Sequence, residues 1–434
     1  MFSSPFQQPG ANLLPVICQH GLLMAVIGCA EFAVGDEKLV NAAEKTVFTP
    51  TLVLVDDSIV SAPSLTIADG RVTGDGVPAE LTLDDLRRIF TYDEDDYLAN
   101  EFSLDEPITV ELRAGGRVHA KKVAIGDEKI KIEWRAGWPL ELPIDLVRGL
   151  QIVWFTEAKL LADAKDYEKS LAAPPATLDR VLLRSDDGQI SSISGLVESL
   201  DADNLTFDAN GQKRSIPRSK LSGIVFAQPA PSTRKPPYTI KFRDGSELAG
   251  DKFSLADGKG TLEIAPQAAA HFNWLDVYEV FVRSTRLEYL SDWPLLPEEQ
   301  TPIVTPPFPV QRDKSVSGNR LRVGHLERFD KGLGVHARSA ITFATEGKWD
   351  LFKAKIGLDA EADGKGDCIF QVLADGKSIF EKRMKGDGIL THTEDVRLPI
   401  TGCRELTLLV EPGAGLDLAD HANWCDARLT KAKR

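Results

Sequence analysis

The chain has 434 residues and a formal net charge of −14 at pH 7. This length is typical of about two to four domains. Hydrophobic residues make up 43% and charged residues 27% of the sequence, which argues against a disordered chain and against a protein that crosses a membrane many times. Because an acidic chain repels the phosphates of nucleic acids, we expect no nucleic-acid partner.

Residues 1–35 are typical of an export leader. The apolar run "GLLMAVIGCA" at 21–30 is followed by small residues that suit a signal peptidase, and it is too short to span a bilayer. The run also resembles a lipoprotein box that ends at Cys29, so a lipid anchor there is the one membrane contact we expect. The first 20 residues carry no Lys or Arg, which leaves a buried apolar segment as the alternative. The predicted location is extracytoplasmic: periplasm, cell surface or secreted.

Four loosely repeated β-rich units follow, at 46–92, 107–156, 177–228 and 238–284. Each has alternating strands and a closing apolar pair spaced three residues apart. The pairs are Leu86 and Ile89, Val147 and Leu150, Leu221 and Ile224, and Val277 and Val280. A single helical turn would place such a pair on one face before a closing strand. About five short strands per unit resemble Sm-like or SH3-like small barrels. The acidic charge favours a scaffold or spacer role for them over RNA binding.

Two other kinds of segment join these units. Residues 157–176 contain Ala, Leu, Glu and Lys in helical order and are predicted to form a helical linker. Residues 292–310, "DWPLLPEEQTPIVTPPFPV", are rich in Pro and are predicted to be an extended connection. This connection leads into the last part of the chain.

The last part, residues 287–434, carries a series of ordered motifs. They are "YLSDW", "RDKSVSGNRLRV", "KGLGVHARSAITF", "KAKIGLDAEADGKGDCIFQVLADGK", "GCRELTLLVE" and "DHANWCDARL". These blocks closely resemble the NPCBM family, which includes the family 51 carbohydrate-binding modules. The resemblance implies a jelly-roll β-sandwich that holds a sugar at a loop rim. Alternation in "CIFQV" and "LTLLV" independently favours sandwich strands, and "ADGK" at 374–377 predicts a hairpin turn.

The "DHANW" sequence at 420–424 contains the polar and aromatic groups that sugar recognition needs. The candidate sugar-binding residues are His336, Trp349, Asp420, His421, Asn423 and Trp424. A structural alternative is a polar clamp in which this stretch bonds the turn around His336. Catalysis is disfavoured, because the sequence has neither a G-x-S-x-G elbow nor an HExxH helix.

A second acidic motif, "DAEADGKGD", has the spacing of the first half of a calcium loop. Its candidate ligands are Asp359, Glu361, Asp363 and Asp367. Phe370 stands at position twelve, where a calcium loop carries a bidentate Glu, so a solvated acidic hairpin is the alternative. The family resemblance implies that some relatives hold calcium, and calcium is therefore the one cofactor we expect.

Taken together, the sequence predicts an all-β protein with tandem small β-barrel-like units followed by a C-terminal jelly-roll β-sandwich. We expect an exported, non-catalytic protein that binds a polysaccharide or glycoconjugate. An envelope structural or protein–protein adaptor is one alternative. An accessory part of a glycoside hydrolase system is another.

Overall fold

The structure is a computed structural model. It describes residues 49–91, 108–134, 136–152, 160–185, 188–228, 235–293, 299–301, 303–324, 327–388 and 392–433. The predicted leader at 1–35, with the anchor site at Cys29, lies outside these ranges. Within them, we find no helix whose length and apolar content would carry it across a bilayer.

The region before residue 285 is built from short strands and one described α-helix. The strands are β1 (Thr51–Leu54), β2 (Ile59–Ser61), β3 (Thr66–Ala68), β4 (Arg71–Thr73), β5 (Leu86–Phe90), β6 (Ile108–Leu112), β7 (Gly116–Gly126), β8 (Lys129–Trp134), β9 (Leu140–Pro143), β10 (Val147–Ile152), β11 (Asp179–Arg184), β12 (Ile190–Leu200), β13 (Asn204–Ala209), β14 (Gln212–Pro217), β15 (Leu221–Val225), β16 (Tyr238–Phe242), β17 (Glu247–Gly250), β18 (Lys252–Ala256), β19 (Lys259–Ala265), β20 (Ala268–Asn273) and β21 (Val277–Val282). The helix α1 (Leu160–Ala172) lies within the predicted 157–176 linker.

A β-bulge explains the apolar pairs spaced three residues apart. In β5, Leu86 pairs with Leu54 and Arg88 pairs with Val53, so Arg87 is an extra residue. The same irregularity occurs in β10, β15 and β21. A regular strand would place residues i and i+3 on opposite faces, but one extra residue returns both to the same face. A 3₁₀ turn precedes each of these strands, but the pairs lie on the strands and not on the turns as the sequence suggested.

The four sequence units share one large sheet. Its main path runs from β14 through β13, β12, β11, β15, β10, β6, β7, β17, β16, β21, β5 and β1 to β2, and β8 and β9 branch from β7. A second sheet has the order β20-β19-β18-β3-β4. Strand pairs therefore cross between units, as in β10 with β15, β7 with β17, and β21 with β5. The buried members of the apolar pairs, such as Ile89 and Leu150, belong to one continuous core. The division into four barrels stays a prediction.

The C-terminal module is a two-sheet sandwich. Its strands are β22 (Leu287–Tyr289), β23 (Glu299–Gln300), β24 (Gln311–Arg312), β25 (Leu321–Val323), β26 (Glu327–Phe329), β27 (Gly332–His336), β28 (Ser339–Ala344), β29 (Leu351–Leu358), β30 (Asp367–Ala374), β31 (Lys377–Lys385), β32 (Thr393–Pro399), β33 (Glu405–Pro412) and β34 (His421–Thr430). One sheet has the order β24-β27-β34-β29-β32, with β22 beside β34, and the other has the order β23-β28-β33-β30-β31. The all-β prediction and the sandwich are confirmed.

Sequence alternation correctly identified the inner faces of the sandwich. Side chains at 368, 370 and 372 and at 406, 408 and 410 are all buried. The predicted hairpin at 374–377 joins β30 to β31, with φ of 49° at Asp375 and 77° at Gly376. Two successive positive φ values are typical of a type I′ turn, which accounts for Asp-Gly at this place.

The module is joined to the first sequence unit by a compact ion-pair network. Asp57, in the turn between β1 and β2, accepts hydrogen bonds from Lys353 Nζ and Arg428 Nη2, each at 2.6 Å. Arg87 Nε lies 3.2 Å from the same carboxylate. Burial would raise the pKa of Asp57, but the cations at 428, 353 and 87 outweigh it and hold the pKa below its usual range. Val55 packs with Leu287 and Tyr289 beside this network.

Candidate functional site

The two histidines that the sequence grouped together lie side by side in the sandwich. Strand β34 begins at His421 and runs antiparallel to β27, and the register places His336 opposite His421. The two ring centroids are 5.6 Å apart, with an interplanar angle of 66°. His336 is 4% exposed and His421 is half-buried. The pair therefore lies at one end of the sheet, where β27 ends and β34 begins.

His336 is fixed by the backbone next to it. Its Nδ1 lies 2.6 Å from the carbonyl oxygen of Ala337. Burial lowers the pKa of His336 and the neighbouring His421 lowers it further, against the opposing effects of the Ala337 carbonyl and Asp417. The net pKa lies below the usual value for histidine, so this ring is neutral at physiological pH.

Glu361 fixes the second histidine. Its Oε1 is 3.1 Å from His421 Nδ1. Its Oε2 accepts hydrogen bonds from the Ser315 hydroxyl at 3.1 Å and the Asn319 amide at 2.9 Å. Burial would raise the pKa of this carboxyl, but these donors and Ser317 outweigh it and lower the pKa. The carboxylate is therefore ionised and its acceptor sites are largely occupied.

An aromatic ring covers one side of the histidine pair. Phe308 is half-buried, and its ring is stacked on His336 at 4.8 Å between centroids and 27° between planes. The distance between the centroids of Phe308 and His421 is 5.9 Å. We call His336, His421, Glu361 and Phe308 the imidazole cluster. It combines an apolar ring face with oriented hydrogen-bonding groups.

Asp417 secures the segment that leads to Phe308. Its side chain is fully buried. The carboxylate accepts hydrogen bonds from the backbone N–H groups of Ile303 at 2.8 Å and Val304 at 3.0 Å, and from the Thr305 hydroxyl at 2.9 Å. Burial would raise the pKa of Asp417, but these donors lower it below the usual value. The Pro-rich connection is therefore tied down along 303–305, three residues before Phe308.

Asp420 and Asn423 lie beneath the surface and hold the sandwich together. Asp420 is 1% exposed and accepts a hydrogen bond from the Asp367 backbone N–H at 2.7 Å. Burial, with the charges of Asp367 and Asp417, raises the pKa of Asp420 to about 6. Asn423 is fully buried, and its Nδ2 donates to the Asp359 carboxylate. Both side chains serve internal bonds, to Asp367 and Asp359 and not to the turn around His336, so the clamp stays a prediction.

The two candidate tryptophans lie away from the imidazole cluster. Trp424 has no exposed surface and packs edge-on against Phe370, with ring centroids 5.1 Å apart. Trp349 precedes β29, whose first residue pairs with Thr430 and whose last pairs with Ala422. At about 3.3 Å per residue, the seven steps of β29 alone separate its Trp349 end from its His421 end by roughly 23 Å. Neither ring is placed to stack on a ligand at the cluster.

The four candidate calcium ligands make separate contacts. Asp359 accepts a hydrogen bond from the Glu361 backbone N–H at 2.8 Å and one from Asn423, while the Glu361 carboxylate faces His421. Asp363 is exposed, and Asp367 forms a two-bond ion pair with Arg383. In the part of the chain that the structure describes, no group of three or more His, Cys, Asp or Glu could hold a metal ion. The four acids as arranged therefore do not fit an oxygen cage, and calcium stays a prediction.

Two residues of the site were missed from the sequence. Phe308 lies in the Pro-rich stretch that was interpreted as a connection, and Asp417 lies just before "DHANW". A single aromatic residue within "TPPFPV" was the available signal, because a solvated linker has little need of a phenyl ring. Nothing in the sequence indicates which loop Asp417 would hold.

Comparison with known proteins places the module in a family. The model of the NPCBM/NEW2 domain matches residues 286–430. Among curated proteins, a "Putative endo-alpha-N-acetylgalactosaminidase" of Renibacterium salmoninarum is 28% identical over 126 residues, which is 28% of this chain. The chain spans only 8% of the length of that protein.

Several solved structures are similar to part of this chain. The CBM51 module from Clostridium perfringens GH95, solved in complex with methyl-galactose, is 31% identical, with 33% of this chain and 99% of that chain covered and a TM-score of 0.29. CBM51-2 with GlcNAc and INT domains from Clostridium perfringens ZmpB is 22% identical, with 45% of this chain and 40% of that chain covered and a TM-score of 0.31. The family-model match therefore identifies residues 286–430 as an NPCBM/NEW2 domain.

Proposed function

We propose that this protein binds the sugar of a polysaccharide or glycoconjugate, without chemical conversion, at the imidazole cluster of its C-terminal module. The observation that carries this proposal is the juxtaposition of the half-buried Phe308 ring with two histidines that approach each other to 5.6 Å between centroids. A sugar has an apolar ring face and several hydroxyl groups. An aromatic ring beside fixed polar groups suits both.

The charge state of the cluster supports binding over catalysis. A general acid needs a carboxyl that keeps its proton near neutral pH, whereas hydrogen bonds lower the pKa of Glu361. A general base needs a free lone pair that faces the substrate, but the Glu361 oxygens already face His421, Ser315 and Asn319. Glu361 therefore has the properties of a positioning group.

The proposal includes an extracytoplasmic location. It is supported by the apolar run at 21–30 and the small residues that follow it. The mature protein is then expected to begin near Glu31 or Asp36, or to carry lipid on Cys29. N-terminal sequencing and mass spectrometry of the native protein test this, and an intact Met1 in a cytosolic fraction would contradict it.

A second candidate function is an accessory role in a glycoside hydrolase system. The relative of Renibacterium salmoninarum is named as an endo-alpha-N-acetylgalactosaminidase. Under this alternative the module would deliver a hydrolase to its substrate, and the sugar would still occupy the imidazole cluster. Co-purification with a glycoside hydrolase from the native host would favour it.

The test is a glycan array probed with the full chain, followed by calorimetry on the best sugar. Methyl galactoside and N-acetylglucosamine, the sugars named for two similar modules, are included. Phe308→Ala and His421→Ala should each weaken binding by about tenfold or more, because each removes about 1.5 kcal/mol of contact. The control is Trp138→Ala, which removes a 43% exposed aromatic ring of the second sequence unit. Retention of full affinity by both cluster variants would place the sugar elsewhere.

A further inference from the structure

The two imidazoles of the cluster engage the protein through the same ring atom. His336 Nδ1 faces the Ala337 carbonyl oxygen at 2.6 Å, and His421 Nδ1 faces Glu361 Oε1 at 3.1 Å. A carbonyl oxygen and an ionised carboxylate can only accept hydrogen bonds. Each Nδ1 must therefore carry the proton and donate it. The arrangement fixes one tautomer in both rings.

When such a ring carries only this one proton, its opposite nitrogen is an acceptor. In the Nδ1–H tautomer, Nε2 carries a lone pair and no proton. Among the described residues, no hydrogen-bond partner reaches Nε2 of His336 or of His421. These two atoms are also not among the polar side-chain atoms that are both unpaired and completely buried. The described residues thus leave two acceptors unpaired, on rings whose centroids are 5.6 Å apart.

We infer that His336 and His421 act as a matched pair of hydrogen-bond acceptors that recognises two hydroxyl donors on one neutral sugar, and that a second proton on either ring abolishes this recognition. The inference rests on the proposed carbohydrate function and specifies its chemistry. A protonated ring donates from both nitrogens, so it can no longer accept a hydroxyl hydrogen. It also repels a protonated neighbour at this distance.

Other ionisable groups surround the two histidines and could also make sugar binding depend on pH. Glu361 faces His421 from the 3₁₀ turn at 360–362, and Asp417 acts on His336 from the loop before β34. Asp420 immediately precedes His421, and the pKa of its buried carboxyl is about 6. Because Asp420 titrates in the same range as an imidazole, the experiment must separate the two.

The first measurement is ¹⁵N NMR of the histidine side chains in the full chain at pH 7.5, without sugar. Signals are assigned by their loss in His336→Gln and His421→Gln. Both rings should carry the proton on Nδ1. A proton on Nε2 of either ring would overturn the acceptor pair, whether or not sugar binds.

The second measurement is binding of the full chain to an array of neutral glycans at pH 7.5 and pH 5.0. Binding should fall by about tenfold or more at the lower pH, because a second proton on either ring removes one acceptor. For methyl galactoside, calorimetry with the monodeoxy analogues should identify two hydroxyls whose loss each weakens binding by about tenfold. The fall with pH should persist in Asp420→Asn and in His271→Ala, which removes an exposed imidazole on β20.

The outcomes distinguish failure of the acceptor pair from failure of carbohydrate binding itself. Glycan binding that is equal at both pH values, or analogues that reveal no pair of sensitive hydroxyls, would overturn the acceptor pair and leave carbohydrate binding intact. Loss of the pH dependence in Asp420→Asn would assign it to that carboxyl and would equally overturn the pair. Absence of any glycan binding at either pH would overturn the proposed function and the inference together.

Discussion

The two ends of strand β34 carry polar groups under opposite conditions. At the C-terminal end, Arg428 donates to Asp57 at 2.6 Å and also to Asp426, and Lys353 donates to Asp57 at the same distance. At the N-terminal end, His336 and His421 each make one side-chain hydrogen bond to the protein, through Nδ1. The charged groups at the C-terminal end are thus paired within the protein, whereas the ligand that we propose would bind to the histidines at the other end.

Substitution in the middle of β34 should lower the free energy of unfolding the most, because the side chain there is part of the buried core of the sandwich. Trp424 is fully buried and packs against Phe370 and Phe352. We expect Trp424→Ala to lower the free energy of unfolding by about 3 to 5 kcal/mol, as other large-to-small core changes do. Chemical denaturation measures this, with the exposed Trp138→Ala as a control that should cost less than about 1 kcal/mol. A Trp424→Ala protein of normal stability that had lost sugar binding would make Trp424 a ligand contact.

The ion pairs at the C-terminal end of β34 can be removed without altering the backbone of the turn between β1 and β2. Asp57 has a φ of 77°, a conformation that Asn tolerates as well as Asp. Asp57→Asn removes the charge that faces Lys353 and Arg428, whose side chains are 5% and 6% exposed. We expect a loss of about 3 kcal/mol in the free energy of unfolding, because the buried Lys353 is left without its counter-charge, although Arg428 keeps Asp426.

The matched control for this change is Asp69→Asn. Asp69 is an exposed turn residue of the same sequence unit, with a φ of 51°. Its replacement should change stability by less than about 0.5 kcal/mol. Equal stability of the Asp57 and Asp69 variants would show that the network contributes little to holding the module in place.

The smallest change in the free energy of unfolding is expected for replacement of Asp420, just before the N-terminal end of β34, and this change is an increase. The pKa of Asp420 in the folded protein is about 6, above the value of about 3.9 in an unfolded chain. The folded state therefore binds this proton more tightly than the unfolded state does. The charged carboxylate lowers the free energy of unfolding by its full amount above about pH 6, and this loss disappears as the pH falls towards 4. Asp420→Asn should increase the free energy of unfolding at pH 7.5 by about 1 to 3 kcal/mol and give no increase near pH 4.

Asp363→Asn provides the control for the Asp420 variant. Asp363 is exposed and adopts a φ of 50°, so Asn should be tolerated there with little change at either pH. If Asp420→Asn were less stable than the unaltered protein at pH 7.5, the hydrogen bond from Asp367 would outweigh the burial of the charge.

Local patterns in the sequence predicted local features of the fold. The Asp-Gly pair gave the hairpin at 374–377, and alternation gave the inward residues around Phe370. Contacts between residues far apart in the sequence could not be predicted. Asp57 and Arg428 are 371 positions apart, and no period or spacing relates them. The bulge at Arg87 was also missed, because its apolar pair has the spacing of a helical turn.

The strands at the two ends of the large sheet limit how the protein can associate. The first end strand, β14, reads "QKRSIP", so Lys213, Arg214 and Pro217 occupy an edge at which another strand could add. The last, β2, is only three residues long. Charge, a missing backbone donor and short length each discourage pairing with the edge of a second molecule. The two ends of this path are therefore poor templates for a strand of a second molecule, whereas β9, which pairs only with β8, ends a side branch of the same sheet.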